Sequence, residues 1–287
     1  MHDIVIIGAG PAGLSAAITA RARNKEVLVL SNSIDESPLA KAALVDNYPG
    51  TPQISGRELI KKMYDQAAAL GAQHVVGRAI SVLPLETGFS VTTSDEIYEA
   101  RCVILAPGIP QAKPLIGEEE FLGRGVSYCA TCDGMLYRNA TVCVLGLNSE
   151  AVEEANFLKE IGAEVTFLAK KAPEGLVEGI NVICGTALEV KGDMLGVTGL
   201  VYQAGDTKGN ESLDCNGVFI LRAVIAPENL MVGLELSEGQ VVVDAQMRTN
   251  ISGVFAAGDC TGAPLQIAKA VGEGQRACFS AVAYLDN

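Results

Sequence analysis

The chain has 287 residues, of which 49% are hydrophobic and 19% are charged, and its 34 acidic and 21 basic side chains give a net charge of -13. This composition predicts a globular protein of one large or two ordinary domains and excludes a disordered chain. The acidic balance argues against a nucleic-acid partner, which requires a basic surface.

The N-terminus predicts neither secretion nor membrane insertion. Met1-His2-Asp3 leads directly into the apolar run Ile4-Val5-Ile6-Ile7, without a basic segment or a small-residue cleavage site. No apolar stretch of the sequence is long enough to span a bilayer. We therefore expect a cytoplasmic protein with no membrane partner, whose eight cysteines are free thiols plus one catalytic pair.

The chain opens with a predicted βαβ unit. The apolar run is followed by Gly8-Ala9-Gly10-Pro11-Ala12-Gly13, a helical stretch to about Ala22 and a second apolar run, Val27-Leu28-Val29-Leu30. Such glycines allow a tight turn and close approach of the backbone to a pyrophosphate, and the helix N-terminus supplies N–H groups and positive potential. The unit predicts dinucleotide binding. Ser31 stands where an acidic residue for the ribose hydroxyls is usual, although Asp35 and Glu36 follow closely.

The next segments alternate helix and strand patterns. Helical periodicity runs from Gly56 to about Leu70, and strand patterns cover 89–93 and 101–106. The Pro/Gly-rich connection from Pro107 to Gly125 is interpreted as a linker.

The segment Ser127-Tyr128-Cys129-Ala130-Thr131-Cys132-Asp133-Gly134 carries two thiols two residues apart. In a Cys-x-x-Cys unit the sulfurs can cycle between dithiol and disulfide. A zinc site would need a second ligand pair. The other cysteines are scattered singly and the only histidines are His2 and His74. Redox chemistry is therefore favoured over a metal site.

A second strand-turn-helix unit follows at 141–168, with the turn Gly146-Leu147-Asn148-Ser149-Glu150-Ala151. Asn148 replaces the middle glycine and would obstruct a pyrophosphate, and Glu150 puts a carboxylate on the helix end that otherwise attracts phosphate. Two interpretations of this unit therefore stay open: a packing domain that no longer binds a dinucleotide, and a domain that still binds one.

The last third is predicted to contain short strands and hairpins from about Glu189 to Val243, with turns at 192–193 and 205–206. A buried strand at 253–257 then ends in Gly258-Asp259, before a helical stretch from about Leu265 to Leu285. Asp259 can contact a polar cofactor chain or cap a helix.

Four motifs together resemble the low-molecular-weight thioredoxin reductases: Gly8–Gly13, Asp46-Asn47-Tyr48-Pro49-Gly50, Gly125–Gly134 and Gly253–Asp259. They occur in family order and span nearly the whole chain, and Cys-Ala-Thr-Cys-Asp-Gly is highly specific for the family. The resemblance implies an α/β fold of two Rossmann-like three-layer βαβ domains, the second inserted in the first. The FAD-binding domain would comprise 1–112 and 247–287, and an NADPH-domain-like domain with the redox pair would comprise 113–246.

The resemblance also implies a homodimer that passes electrons through FAD to thioredoxin. Cys132 would exchange electrons with the flavin, Cys129 would attack the substrate disulfide, and Asp133 is the proposed acid-base group, with a helix cap as the alternative. The larger flavin disulfide reductases, which use a histidine, match poorly. The implied FAD-binding residues are Gly8, Gly10, Pro11, Ala12, Gly13, Ser31, Asn47, Gly258, Asp259, Gln266 and Ile267.

The sequence departs from the NADPH-dependent relatives in the second unit. Their His-Arg-Arg segment for the 2′-phosphate corresponds here to Ala169-Lys170-Lys171-Ala172-Pro173, and no arginine occurs between Arg138 and Arg222. Lysines lack the planar fork of arginine. With Asn148 and Glu150, these changes argue against NADPH as the electron donor.

The ferredoxin-dependent flavin thioredoxin reductases share this shortened, motif-poor second domain, so reduced ferredoxin is the expected donor. Three alternatives stay open: an NADPH-dependent reductase with an atypical nucleotide site, a flavin dithiol oxidase that uses oxygen, and a non-catalytic flavin-binding protein. A net charge of -13 opposes encounter with an acidic ferredoxin unless basic residues such as Lys159, Lys170 and Lys171 gather on one face.

Overall fold

The computed structural model describes residues 1–109, 114–147, 151–205, 209–222 and 225–286. The chain divides into two compact units, a first unit of Met1–Ile109 with Val224–Asn287 and a second unit of Pro110–Ala223. Among the described residues, no helix is both long and apolar enough to cross a membrane.

The first part of the first unit alternates strands and helices around a mainly parallel sheet. Its elements are β1 (His2–Ile7), α1 (Pro11–Arg21), β2 (Val27–Ser31), α2 (Gly56–Ala69), β3 (Gln73–Val76), β4 (Ser81–Pro84), β5 (Phe89–Thr92) and β6 (Ile97–Leu105). The strand order is β3-β2-β1-β6-β5-β4, in which β1, β2, β3 and β6 are parallel. Residues 4–7 of β1 are buried, as expected for a strand covered on both faces.

The second unit carries its own parallel sheet, extended by antiparallel strands. Its elements are β7 (Val126–Ser127), α3 (Ala130–Asp133), β8 (Thr141–Gly146), α4 (Ala151–Glu160), β9 (Glu164–Ala169), β10 (Asn181–Asp193), β11 (Gly196–Ala204), β12 (Asn210–Asp214) and β13 (Gly217–Leu221). The order is β12-β11-β10-β9-β8-β13-β7. The predicted hairpins are therefore present in β10 to β12, but β13 returns parallel to β8 and β7 instead of forming another hairpin.

The chain then completes the first unit with α5 (Pro227–Leu230), β14 (Leu236–Ser237), β15 (Gln240–Val241), β16 (Val254–Ala256) and α6 (Ile267–Leu285). β16 pairs in parallel with the end of β6. α6 packs along α1, where a methyl group on Gly274 would lie 2.0 Å from the Ala12 carbonyl oxygen. This closing segment brings the Gly258-Asp259 turn to the start of α1.

The return to the first unit comes earlier than the predicted boundary at 246. Residues after Val224 pack on the first unit because α5 contacts β4 and β15 lies against the turn at Asp259–Thr261. Where short strands were predicted up to Val243, residues 227–230 form a helix, whose first position is a proline. The predicted boundary at 112 and the observed division at 109 differ by three residues.

Candidate functional site

A sharp glycine turn joins β1 to α1 in the first unit. Gly8 has a φ of 109°, and a methyl group built on it would lie 2.1 Å from the Ala106 carbonyl oxygen. A methyl on Gly13 would lie 1.8 Å from the Gly8 carbonyl oxygen. Both positions therefore exclude any side chain, and α1 packs directly on the turn.

Gly10 differs, because a methyl group built there meets no atom within 4 Å. It is the N-cap residue of α1, without a side-chain cap, and Pro11 follows at the first helical position. The first turn contains no acidic residue. Open space therefore lies in front of a helix N-terminus, whose N–H groups and positive potential suit a diphosphate.

Ser31, at the end of β2, contacts a histidine that sequence reasoning did not include in the site. Its Oγ donates to the Asn32 carbonyl oxygen at 2.7 Å and lies 2.8 Å from His74 Nε2. A hydroxyl has one proton, so His74 Nε2–H is the donor in the second bond. Burial lowers the pKa of His74 and favours its neutral ring. Ser31 is left as an acceptor, which suits a ribose hydroxyl.

The turn that carries Asp259 is fixed by an ion pair on α6. Glu273 Oε2 accepts from the Gly258 N–H at 2.9 Å, and Lys269 Nζ donates to the Gly258 and Gly262 carbonyl oxygens at 2.8 and 2.7 Å. Lys269 Nζ lies 3.1 Å from Glu273 Oε2. Burial raises the pKa of Asp259. Gly258 has a φ of 88°, and a methyl on it would lie 2.9 Å from Ala12 Cβ, so Asp259 is held next to the first turn of α1.

Two further predicted residues meet at the start of α6. Asn47 Nδ2 donates to Gln266 Oε1 at 2.9 Å, and Gln266 is the N-cap residue before Ile267, without a side-chain cap. Within the described residues, the buried Thr51 Oγ1 has no hydrogen-bond partner. Together with the space at Gly10, these polar groups fit an FAD molecule whose diphosphate would lie at the N-terminus of α1.

The second unit holds the cysteine pair at the start of a short helix. Cys129 precedes α3 as its N-cap residue, Cys132 lies within α3, and the two are joined by a disulfide. The Cys132 N–H donates to Cys129 Sγ at 3.0 Å. Cys129 is only 2% exposed, whereas Cys132 is exposed. In this state the reachable sulfur is Cys132.

Two polar side chains, Ser127 and Glu154, make hydrogen bonds to the residues around the Cys129–Cys132 disulfide. The Ser127 hydroxyl, on a residue 2% exposed, donates to Asp133 Oδ2 at 2.7 Å and accepts from the Cys129 N–H at 3.1 Å. The Ala130 N–H donates to Glu154 Oε2 on α4 at 2.7 Å. Sequence reasoning singled out neither Ser127 nor Glu154, because neither spacing nor residue type marks a contact made through the fold.

Five of the six remaining cysteines lack the exposure that a reactive thiol needs. In the described chain Cys184 is exposed and the other free cysteines are buried. Burial raises the pKa of Cys215, Cys260 and Cys278 to about 12, and it also raises the pKa of Cys102 and Cys143. No group of three or more potential ligands among the described residues is arranged to hold a metal ion.

A buried ion pair contacts Tyr128, the residue before Cys129. Glu118, 1% exposed, pairs with Arg222, whose Nη2 lies 2.7 Å from Oε2. Tyr128 Oη donates to Glu118 Oε1 at 3.0 Å, and the Leu115 N–H donates to Oε2 at 2.7 Å. Burial, followed by the charge of Glu118, raises the pKa of Tyr128. The part of the predicted linker from Leu115 onwards is thus bound into the second unit.

The turn predicted at 146–151 in the second unit lies partly outside the described residues. Asn148 and Glu150 lie outside the described residues. Gly146 ends β8, and Lys170 and Lys171 are exposed directly after β9. Lys159 lies half-buried in the last turn of α4.

A nucleotide-binding turn in one unit and a Cys-x-x-Cys disulfide in the other define a disulfide oxidoreductase. The family model for pyridine nucleotide-disulphide oxidoreductases matches residues 2–274. A thioredoxin reductase of Listeria monocytogenes is 34% identical over 302 residues, covering 100% of this chain and 94% of the relative.

Two solved structures are also similar. A ferredoxin-flavin thioredoxin reductase of Clostridium acetobutylicum is 41% identical with a TM-score of 0.90, covering 99% of this chain and 98% of that one. An atypical thioredoxin reductase of Desulfovibrio vulgaris Hildenborough is 33% identical with a TM-score of 0.71, covering 100% and 98%. The chain belongs to the thioredoxin reductases of the pyridine nucleotide-disulphide oxidoreductase family, and its cofactor is FAD. The predicted family, fold class and cofactor are confirmed.

Proposed function

We propose that this protein reduces the disulfide of thioredoxin through FAD and the Cys129–Cys132 pair, with reduced ferredoxin as the electron donor. The first unit would serve as the FAD domain and the second as an NADPH-like domain that carries the redox pair. The observation that carries the proposal is the disulfide itself, with Asp133 held beside it by Ser127. FAD, if held at the glycine turn of Gly8, Gly10 and Gly13, would supply the two electrons that open this disulfide.

The reduced pair passes its electrons on by thiol-disulfide exchange. The Cys129 thiolate attacks one sulfur of the substrate disulfide, and the other substrate sulfur leaves and takes a proton. The Cys132 thiolate then attacks Cys129 Sγ, releasing the second substrate thiol and re-forming the enzyme disulfide. Two electrons and two protons pass to the substrate, and Asp133 would hold or deliver a proton at its carboxylate. Cys129, buried in the oxidised state, must become accessible for this attack.

Two features of the chain support ferredoxin as the donor. Lys170 and Lys171 follow β9 directly, where the NADPH-dependent relatives use arginines, and Asn148 interrupts the glycine motif. The solved relative with 41% identity is described as a ferredoxin-flavin thioredoxin reductase. The net charge of -13 opposes encounter with an acidic ferredoxin, so docking would have to use exposed basic residues such as Lys170 and Lys171.

Anaerobic titration tests the donor. Reduced ferredoxin should bleach the flavin and, with thioredoxin present, yield thioredoxin thiols, whereas NADPH should do neither. A Cys129→Ser variant is the matched control, because its flavin should still bleach while no thioredoxin thiols form. Rapid bleaching by stoichiometric NADPH would instead establish an atypical nucleotide site. Oxygen consumption with a small dithiol, without thioredoxin reduction, would establish a dithiol oxidase.

We also infer that the protein works as a cytoplasmic homodimer, as the family resemblance implies. Light scattering coupled to gel filtration should give twice the 29.9 kDa of the chain. A mass equal to one chain at micromolar concentration would contradict this assignment. Fractionation of cells should recover the protein with the cytoplasmic thioredoxin pool.

A further inference from the structure

We propose that Ser127 is a positioning residue for Asp133: its hydroxyl fixes the carboxylate relative to the sulfur pair during proton transfer. This inference rests on the proposed function, because it concerns the thiol-disulfide exchange step. It assigns to a buried serine outside the Cys-x-x-Cys motif a role in the exchange rate.

The hydrogen bonds of Ser127 have only one consistent arrangement. Oγ lies 2.7 Å from Asp133 Oδ2 and 3.1 Å from the Cys129 carbonyl oxygen, and it also accepts from the Cys129 N–H at 3.1 Å. A serine hydroxyl has a single proton. The shorter contact to a charged acceptor is the stronger one, so the proton is directed to Asp133. The Cys129 carbonyl oxygen has its own donor, the Asp133 N–H at 3.3 Å.

This arrangement connects the carboxylate to the backbone of the first cysteine through one atom. Ser127 is 2% exposed and ends β7, which pairs in parallel with β13, so its position is set by the sheet. The bond to Oδ2 restricts rotation of the Asp133 side chain and leaves Oδ1 outside this hydrogen bond, as the oxygen that would exchange the proton in the proposed function. Restricting a catalytic group to one geometry raises the rate of a step that needs precise alignment.

A merely structural serine would have a different signature. If Ser127 only supported the turn at Cys129, its loss would slow exchange whether or not residue 133 can carry a proton. If Ser127 acts through Asp133, its loss should matter only when that carboxyl group is present. A double-mutant cycle separates these two cases.

The experiment uses the full-length holoenzyme, reduced anaerobically to the dithiol, and follows single-turnover reduction of thioredoxin. Asp133→Asn should slow exchange by about 100-fold, the lower end of acid-base contributions. Ser127→Ala should slow it by about tenfold alone and by less than twofold in the Asp133→Asn background. Ser127→Thr keeps the hydroxyl and should recover most of the rate. Ser212→Ala, an exposed serine on β12, is the matched control and should leave the rate unchanged.

Equal slowing by Ser127→Ala in both backgrounds would overturn the proposal, as would an unchanged rate in the single variant. A general weakening of the turn by Ser127→Ala also produces equal slowing, so it counts against the proposal. A wild-type dithiol enzyme that fails to reduce thioredoxin at all would instead refute the proposed function. The FAD content should stay the same in every variant, because the residues proposed to hold FAD belong to the first unit.

Discussion

Gly10→Ala should weaken FAD binding without damaging the fold. Gly10 has a φ of -75°, which alanine adopts freely, and the added methyl group meets no protein atom within 4 Å. The methyl would instead occupy the space in front of α1 that the diphosphate requires. The substitution therefore tests the cofactor site separately from the stability of the protein.

The expected change in the stability of the apoprotein is smaller than the expected loss of FAD binding free energy. Alanine in place of glycine gains about 0.4–1 kcal/mol through the unfolded chain and loses a similar amount as a poorer helix N-cap. The stability of the apoprotein should therefore change by less than about 1 kcal/mol. Displacing the diphosphate from one charge-assisted hydrogen bond costs about 1.5–3 kcal/mol. This corresponds to a dissociation constant raised roughly 10- to 100-fold.

The assay is fluorescence titration of apoprotein with FAD, combined with thermal unfolding of the apoprotein. Gly13→Ala is the matched control, because its methyl group would overlap the Gly8 carbonyl oxygen at 1.8 Å. Overpacking of this kind costs about 1–3 kcal/mol or more, so the control should lower the unfolding temperature. Unchanged FAD affinity in Gly10→Ala would refute the assignment of the diphosphate to this helix end.

Three further predictions concern stability. Arg222→Met leaves the charge of Glu118 buried without its ion-pair partner and should cost about 3 kcal/mol in urea unfolding. A loss of unfolding free energy below about 1 kcal/mol, as for an exposed ion pair, would contradict the burial of this pair. Glu154→Ala removes the acceptor of the Ala130 N–H and should cost about 1–3 kcal/mol, whereas Glu154→Gln should cost less, and equal losses would exclude the hydrogen bond as the cause. Because burial lowers the pKa of His74, the unfolded chain takes up this proton at a higher pH than the folded chain as the pH falls through 6.5. Wild type should therefore lose more stability than His74→Gln between pH 7.5 and 5.5, and parallel losses would count against a buried neutral ring.

Elements with strong local patterns were predictable from sequence. The turn between β1 and α1 was recognisable because its glycines, the apolar strand and the helical stretch are contiguous. α2 and α6 were recognisable for the same reason, with ends within about two residues of those predicted. β3 was missed because none of its residues is fully buried, and its pattern shows no alternation. α5 was missed because four residues are too few to show helical periodicity.

Contacts between distant residues were not predictable. The linker prediction for 107–125 failed to foresee that Glu118 pairs with Arg222, which lies 104 residues further along the chain. His74 was considered only as a possible metal ligand, yet it lies beside Ser31 because β2 and β3 are neighbours in the sheet. Residue types and spacings identify groups capable of chemistry, whereas their partners depend on strand order, which a single sequence does not encode locally.

The most direct test of the central claim is to follow the thiols of Cys129 and Cys132 through one catalytic cycle. The anaerobic enzyme is reduced with reduced ferredoxin in the amount that supplies two electrons per enzyme disulfide. It is then alkylated and analysed by mass spectrometry, with and without prior addition of oxidised thioredoxin. Both cysteines should be alkylated after reduction and protected again after thioredoxin is added. A disulfide that stays closed while the flavin is reduced and reoxidised would contradict the account.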